Sequence, residues 1–213
     1  GAIDKAINYY EKAIKLKPQF AEAHNNLGTA LKQANQLEQA IIQFQNAIRL
    51  KKNYFQAYNN LGTTYIKLKM YNEAIKSFET SLFLNANDSN AYNNLGVVYL
   101  ETNQLENAYN SFKRSIKLDP DNSDAFNNLA TTAKLKNNIT MAMTFAKKSL
   151  EIEPSNPKAL SNLASLLEKN GEISNAILLY KKALTQNPEY NVGRCQKLFL
   201  QARICDWSFT NEL

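Results

Sequence analysis

An asparagine pair followed by leucine returns along this chain at a fixed interval: Asn25-Asn26-Leu27, Asn59-Asn60-Leu61, Asn93-Asn94-Leu95 and Asn127-Asn128-Leu129, with a fifth copy, Ser161-Asn162-Leu163, in which Ser replaces the first Asn. A carboxamide offers both a hydrogen-bond donor and an acceptor, as an extended peptide backbone does at every residue. A row of them could therefore hold a polypeptide with little regard to its sequence. Groups for covalent chemistry are missing by comparison. His24, the only histidine, stands where the other copies carry Tyr58, Tyr92 and Phe126, so it is expected to pack rather than to act as base or ligand. The recurring acids Glu38, Glu73 and Glu106 stand singly on outward helix faces, without a second carboxylate at catalytic spacing. No Gly-rich phosphate loop is present. Cys195 and Cys205 have no second pair to complete a zinc site or a disulfide framework, and both are expected as reduced thiols. The expectation is a binding module without catalytic residues, metal or cofactor.

The elements that must position these asparagines are set by the same period. The copies of Ala-x-x-Asn-Leu begin at Ala23, Ala57, Ala91, Ala125 and Ala159, each 34 residues after the last. A repeat of that length is a helical pair that cannot bury its apolar face alone and stacks on its neighbours. In the second copy Tyr58, Leu61, Gly62 and Tyr65 form the apolar stripe of a first helix, and Ala74, Phe78 and Ser81 that of a second. Small residues at Gly28, Gly62, Gly96, Ala130 and Ala164, and at Ala40, Ala74, Ala108, Ala142 and Ala176, let paired helices approach closely, while Phe44, Phe78, Phe112 and Tyr180 fill the remaining space. Between the two helices lie Asn35, Lys69, Asn103, Asn137 and Gly171, where a left-handed residue ends the first helix. Pro18, Pro120, Pro154 and Pro188 close the second helix of four repeats.

Composition agrees with an all-helical, water-soluble chain: 44% hydrophobic, 21% charged, six Gly and five Pro in 213 residues. No apolar run approaches the roughly 20 residues that cross a bilayer, no apolar leader follows Gly1, and a cytoplasmic location is expected. The net charge of +6 raises the question of nucleic acid. Many of the basic residues, such as Lys15, Lys17, Arg49, Lys51, Lys117, Lys147 and Lys181, fall late in second helices, where cations complement the helix dipole. The first-helix face is mostly neutral, which disfavours a phosphate track and nucleic acid as a partner.

The small and aromatic residues named above, the 34-residue period and the closing prolines resemble the tetratricopeptide repeat family. Lys52 and Ala86 stand where that family usually has Pro, and Ala146 where it has an aromatic. The resemblance implies an all-α, right-handed superhelical solenoid of helix-turn-helix repeats over residues 1–190. The second helix of a partial repeat would occupy 1–20, and five full repeats would start at 21, 55, 89, 123 and 157. Residues 191–213 would be a capping helix and the start of a junction to a following domain. In this family first helices line the inner groove. On each of them the face opposite the core stripe, 100° per residue on, carries Asn26, Asn60, Asn94, Asn128 and Asn162, flanked by Thr29, Thr63, Thr131 and Ser165. Two readings of this ladder are open. It holds extended polypeptide or a partner protein in the groove, or it bonds neighbouring first helices and sets their pitch. The partial first repeat would leave an apolar helix face uncovered, through which two copies could pair as a homodimer.

An Asn before the Leu in repeat after repeat also resembles the repeat domain of the O-linked N-acetylglucosamine transferase family, and so does the run Cys205-Asp206-Trp207 directly after the repeats. That resemblance implies a substrate-recruiting arm of a glycosyltransferase whose active site lies beyond Leu213. In the last segment the apolar residues Cys195, Leu198, Phe199 and Ala202 suggest a stripe one residue out of register, with Gln196 where the ladder would continue and Trp207 and Phe209 packed beneath a capping helix. The alternative is a free-standing scaffold for assembling other proteins. A clamp for a terminal carboxylate is disfavoured, because that version of the family wants Lys where this chain has Asn25 and Asn59.

Overall fold

A computed structural model describes residues 1–189 and 191–204. All regular structure in them is α-helical, in twelve helices. Two compact units follow one another, Gly1–Gln104 and Leu105–Leu213. The first holds α1 (Ala2–Leu16), α2 (Ala21–Gln33), α3 (Leu37–Leu50), α4 (Phe55–Lys67), α5 (Tyr71–Leu84) and α6 (Ser89–Glu101). The second holds α7 (Leu105–Leu118), α8 (Ser123–Leu135), α9 (Ile139–Ile152), α10 (Pro157–Lys169), α11 (Ile173–Gln186) and α12 (Asn191–Arg203). The even-numbered helices are first helices, and they begin at 21, 55, 89, 123, 157 and 191 as the period requires. In each unit consecutive helices pack against one another.

Turn chemistry fixes the pairs. Asn35, Lys69, Asn103 and Asn137 have φ between 58° and 60°, and Gly171 has φ 85°, so every first helix from α2 to α10 ends in one left-handed residue. N-termini are held by side chains where the sequence supplies them: Asp88 accepts from the Ala91 amide, Asn122 from Ala125, Asn138 from Met141, and Asn156 from Lys158 and Ala159. Pro157 occupies the first turn of α10, where its missing N–H costs nothing.

The core lies between the paired helices. Ala40, Phe44 and Ala47 of α3 are fully buried, as are Ala74 and Phe78 of α5 and Ala108 and Phe112 of α7. Burying a Phe side chain removes enough apolar area to contribute about 2–3 kcal/mol. Gly28 shows why a small residue faces it: a Cβ there would lie 2.7 Å from Cε1 of Phe44, and one on Gly62 would lie 2.8 Å from Phe78. In α9 the aromatic is replaced by Ala146, still fully buried, and Met143 and Phe145 pack onto the same core from either side of it. By contrast α1 buries no residue, and Tyr9 and Leu16 are exposed on it.

Two expectations change. First, α12 keeps the register of the earlier first helices and does not bury Cys195, Phe199 or Ala202, which are exposed, while Leu198 is half-buried. Among its described side chains the buried positions are Gly193, Lys197, Leu200 and Gln201. These match Ala159, Leu163, Leu166 and Leu167 one repeat earlier, because an equal chain length into the helix sets its phase, and packing on α11 outweighs the local apolar pattern. Second, the last turns of α9 and α11 carry no basic residue, so Lys147 and Lys181 lie too early for the dipole argument that fits Lys15, Arg49 and Lys117. The run Cys205-Asp206-Trp207 and Phe209 lie outside the described residues.

Candidate functional site

Within each unit the first helices place their asparagines in two columns that are bonded to each other. Asn60 Nδ2 donates to Asn25 Oδ1 at 3.0 Å and Asn94 Nδ2 to Asn59 Oδ1 at 3.3 Å; in the second unit Asn162 Nδ2 donates to Asn127 Oδ1 at 2.8 Å. Each bond runs from one first helix back to the preceding one. The acceptors Asn25 and Asn127 are buried, and the donors Asn60, Asn94 and Asn162 are half-buried. Asn26, at the start of the array, is exposed, and its Oδ1 lies at the 3.5 Å limit from Asn25 Nδ2. Asn128 is half-buried in α8. Asn59 makes a further bond, donating to the carboxylate of Asp88 at 3.1 Å.

The flanking hydroxyls are half-buried and turned onto their own helices. Thr29 Oγ1 donates to the Asn25 carbonyl at 3.1 Å, Thr63 Oγ1 to Asn60 at 2.8 Å and Thr131 Oγ1 to Asn127 at 3.1 Å. This back-bonding leaves the oxygen lone pairs facing the neighbouring repeat. Asn162 Nδ2 uses one of them, on Thr131 at 3.0 Å. Lysines reach two hydroxyls of this row, Lys32 Nζ donating to the back-bonded Thr63 Oγ1 at 2.9 Å and Lys134 Nζ to Ser165 Oγ at 2.7 Å. Burial is the main force holding both lysines below the ordinary lysine value, and the nearby charges of Lys67 and Lys169 act in the same direction. Sequence reasoning placed none of these lysines in the site. Their signal was the recurrence of a Lys and a hydroxyl at the same two repeat positions in each unit.

His24 behaves as a packing residue: its ring is buried, with Nδ1 2.7 Å from Gln43 Oε1 and Nε2 3.1 Å from the Pro18 carbonyl. Among the described residues no group of His, Cys, Asp and Glu could hold a metal ion, and no helix is long and apolar enough to cross a membrane.

Helix pairs on a 34-residue period, closed by left-handed turns and a small-against-aromatic contact, define a helical repeat protein that presents one face of its first helices. Residues 1–34 and 28–69 match the TPR repeat family, and 55–88, 89–122, 111–144 and 145–177 match tetratricopeptide repeat families. The chain belongs to the tetratricopeptide repeat family and is a protein–protein interaction module. No curated protein matches it. Among solved structures it is similar to YrrB, described as "a TPR protein with an unusual peptide-binding site", at 22% identity and TM-score 0.66, with 88% of this chain and 97% of that one covered. It is also similar to a chain of the APC/C hetero-tetramer Cut9-Hcn1, at 20% identity and TM-score 0.83, covering 93% of this chain and 39% of that one. Pseudomonas aeruginosa pilF follows at 20% identity and TM-score 0.76, with 97% and 87% covered. At these identities the likeness shows the fold.

Proposed function

We propose that the first-helix face of each unit binds extended polypeptide, through Asn60 and Asn94 in the first unit and Asn162 in the second. The observation that carries this reading is how the carboxamides are divided. Each of the three donates to the preceding repeat, Asn60 and Asn94 with one amide hydrogen and Asn162 with both, to Asn127 and Thr131, and among the described residues none of their Oδ1 atoms accepts a hydrogen bond. The bond to the neighbour fixes the side-chain rotamer, so all three present an acceptor in a set orientation, with a second amide hydrogen beside it on Asn60 and Asn94. A pre-oriented group loses little entropy when a ligand arrives. The two sequence readings therefore combine: the column ties repeats together and serves a peptide backbone with what is left. At a net of about 0.5–1.5 kcal/mol per hydrogen bond, such groups give modest, sequence-tolerant affinity. YrrB, similar in fold, is described as binding peptide.

The test is binding of a diverse set of unstructured peptides to the protein and to the Asn60→Ala/Asn94→Ala/Asn162→Ala variant, with circular dichroism to verify helicity. Sequence-tolerant binding that the variant loses supports the reading, and binding unchanged in the variant overturns it. Service as the recruiting arm of an O-linked N-acetylglucosamine transferase-like enzyme adds to this only the run Cys205-Asp206-Trp207, and the native gene beyond Leu213 tests it by encoding a glycosyltransferase domain or not.

A further inference from the structure

The lysines that reach across the repeats form the same constellation twice. In the first unit Lys32 of α2 donates to Thr63 of α4, and Lys67 stands one helical turn beyond that hydroxyl. In the second unit Lys134 of α8 donates to Ser165 of α10, and Lys169 stands one turn beyond. These are the same repeat positions three repeats apart. In the other three repeats the position of Lys32 and Lys134 is filled by Ile66, Leu100 and Glu168, so the constellation is confined to two junctions and is not a general property of the repeat.

Each junction holds two cations against one neutral hydroxyl. Thr63 Oγ1 already donates to the Asn60 carbonyl, so it can only accept from Lys32, and an ammonium group has two further hydrogens to place. Among the described residues the ion pairs are made by the N-terminal amine, Lys51, Lys136 and Lys148, and none involves Lys32, Lys67, Lys134 or Lys169. The two sites are not equal. Glu168 opposes the effect of Lys169 on Lys134, whereas at Lys32 burial and Lys67 act together with no carboxylate offsetting them. An anion seated between the lysines would remove the like-charge repulsion and satisfy the remaining ammonium hydrogens with charge-assisted bonds, which are about twice as strong as neutral ones.

We propose that Lys32, Thr63 and Lys67, and more weakly Lys134, Ser165 and Lys169, form oxyanion sites that select acidic residues in the polypeptide held by the first-helix face. The oxyanion is an Asp or Glu carboxylate or a phosphoryl group on a Ser of the bound chain. This inference rests on the peptide-binding reading above and adds to it a preference for negative charge. It accounts for a partly buried lysine held by a hydroxyl, an arrangement with no evident use in folding.

The test uses fluorescence anisotropy with three labelled unstructured peptides identical but for one central residue: Gln, Glu or phosphoserine. The protein is compared with its Lys32→Met/Lys67→Met and Lys134→Met/Lys169→Met variants and with the triple Asn variant. The expected result is tighter binding of the Glu peptide than of the Gln peptide by about fivefold, in the range of a partly screened ion pair, with the preference shrinking as salt is raised. Lys32→Met/Lys67→Met should abolish most of that preference, so that the Glu and Gln peptides bind nearly alike, and Lys134→Met/Lys169→Met should remove less. A phosphoserine peptide bound more tightly than the Glu peptide would assign the site to phosphoryl groups, and equal binding would assign it to any oxyanion. Equal affinity for Gln, Glu and phosphoserine peptides, with the Asn variant binding none, overturns the oxyanion sites and leaves the peptide reading intact. Absence of binding by any peptide overturns both.

Discussion

Asn60 Nδ2 lies 3.0 Å from Asn25 Oδ1, across a sequence separation of 35, one residue more than the repeat. The extra residue means that the two asparagines of the pair have different jobs: the first accepts from the repeat that follows, and the second donates to the repeat that precedes. Asn162 and Asn127 make the same bond at 2.8 Å. Replacing a buried acceptor, Asn25→Ala or Asn127→Ala, is expected to cost about 1–2 kcal/mol, because the hydrogen bond is lost and a space is opened. Asn26→Ala, at an exposed position, should stay within about 0.5 kcal/mol. Urea unfolding of the three variants checks the order.

Gly28→Ala sets two effects against each other. Alanine is favoured over glycine in a helix interior by about 1 kcal/mol, but the added carbon would lie 2.7 Å from the buried Phe44 ring, and overpacking costs about 1–3 kcal/mol. A net loss of roughly 1 kcal/mol is expected. Combining it with Phe44→Leu should relieve the clash, so the double variant will be more stable than the sum of the single effects predicts. Thermal melts of the four proteins read this coupling.

Lys69 holds φ 58° with a β-carbon, at a cost of about 1 kcal/mol relative to glycine. Lys69→Gly should therefore stabilise the protein by about that much, offset in part by the greater freedom of glycine in the unfolded chain. Gly171→Ala, at φ 85°, should destabilise by a similar amount, although no atom lies near enough to the new carbon to clash with it. Opposite shifts in denaturation midpoint are the expected signature.

Lys32 gives a pH prediction. Its folded-state value is lowered, first by burial and then by Lys67, so below the ordinary lysine range the unfolded chain binds more protons than the folded one. Stability then rises with pH as that range is approached, with the same sign as for an acid held low, because in both cases the unfolded chain binds more protons; here the gain is the relief of a buried charge. Lys32→Met should raise the urea midpoint near neutral pH, and its advantage over the unaltered protein should shrink as pH climbs toward the lysine range. A variant that is less stable at neutral pH would show that the Lys32–Thr63 bond outweighs the buried charge.

The repeat boundaries were readable because one period governs both helices. Alanine, glycine and aromatic residues recur at positions set by close packing, and all five left-handed turns fall on the residues that the spacing picks out. The last helix was misjudged because Cys195, Leu198 and Phe199 form an attractive local stripe, whereas the phase of α12 is inherited from the chain length that precedes it. For the site, the asparagine column was visible and its partners were not. The pairing of residues 35 apart depends on the offset between neighbouring first helices, which a single repeat does not contain. Lys32 was hidden for a simpler reason: on a helical wheel a long side chain at the edge of the face looks solvent-bound, and only its reach across to Thr63 brings it in.

The left-handed residue that ends each first helix also restricts how such a chain can change length. Losing one residue inside a helix would turn everything downstream by about 100° and point the alanine and aromatic stripe away from its neighbour. Moving the turn would place a left-handed angle on a residue that resists it. Only the gain or loss of a whole 34-residue unit leaves every helix in phase, so duplication and excision of complete repeats are the changes this architecture tolerates. Each such event would carry its own asparagine pair with it, lengthening or shortening the run of bonded first helices in whole steps.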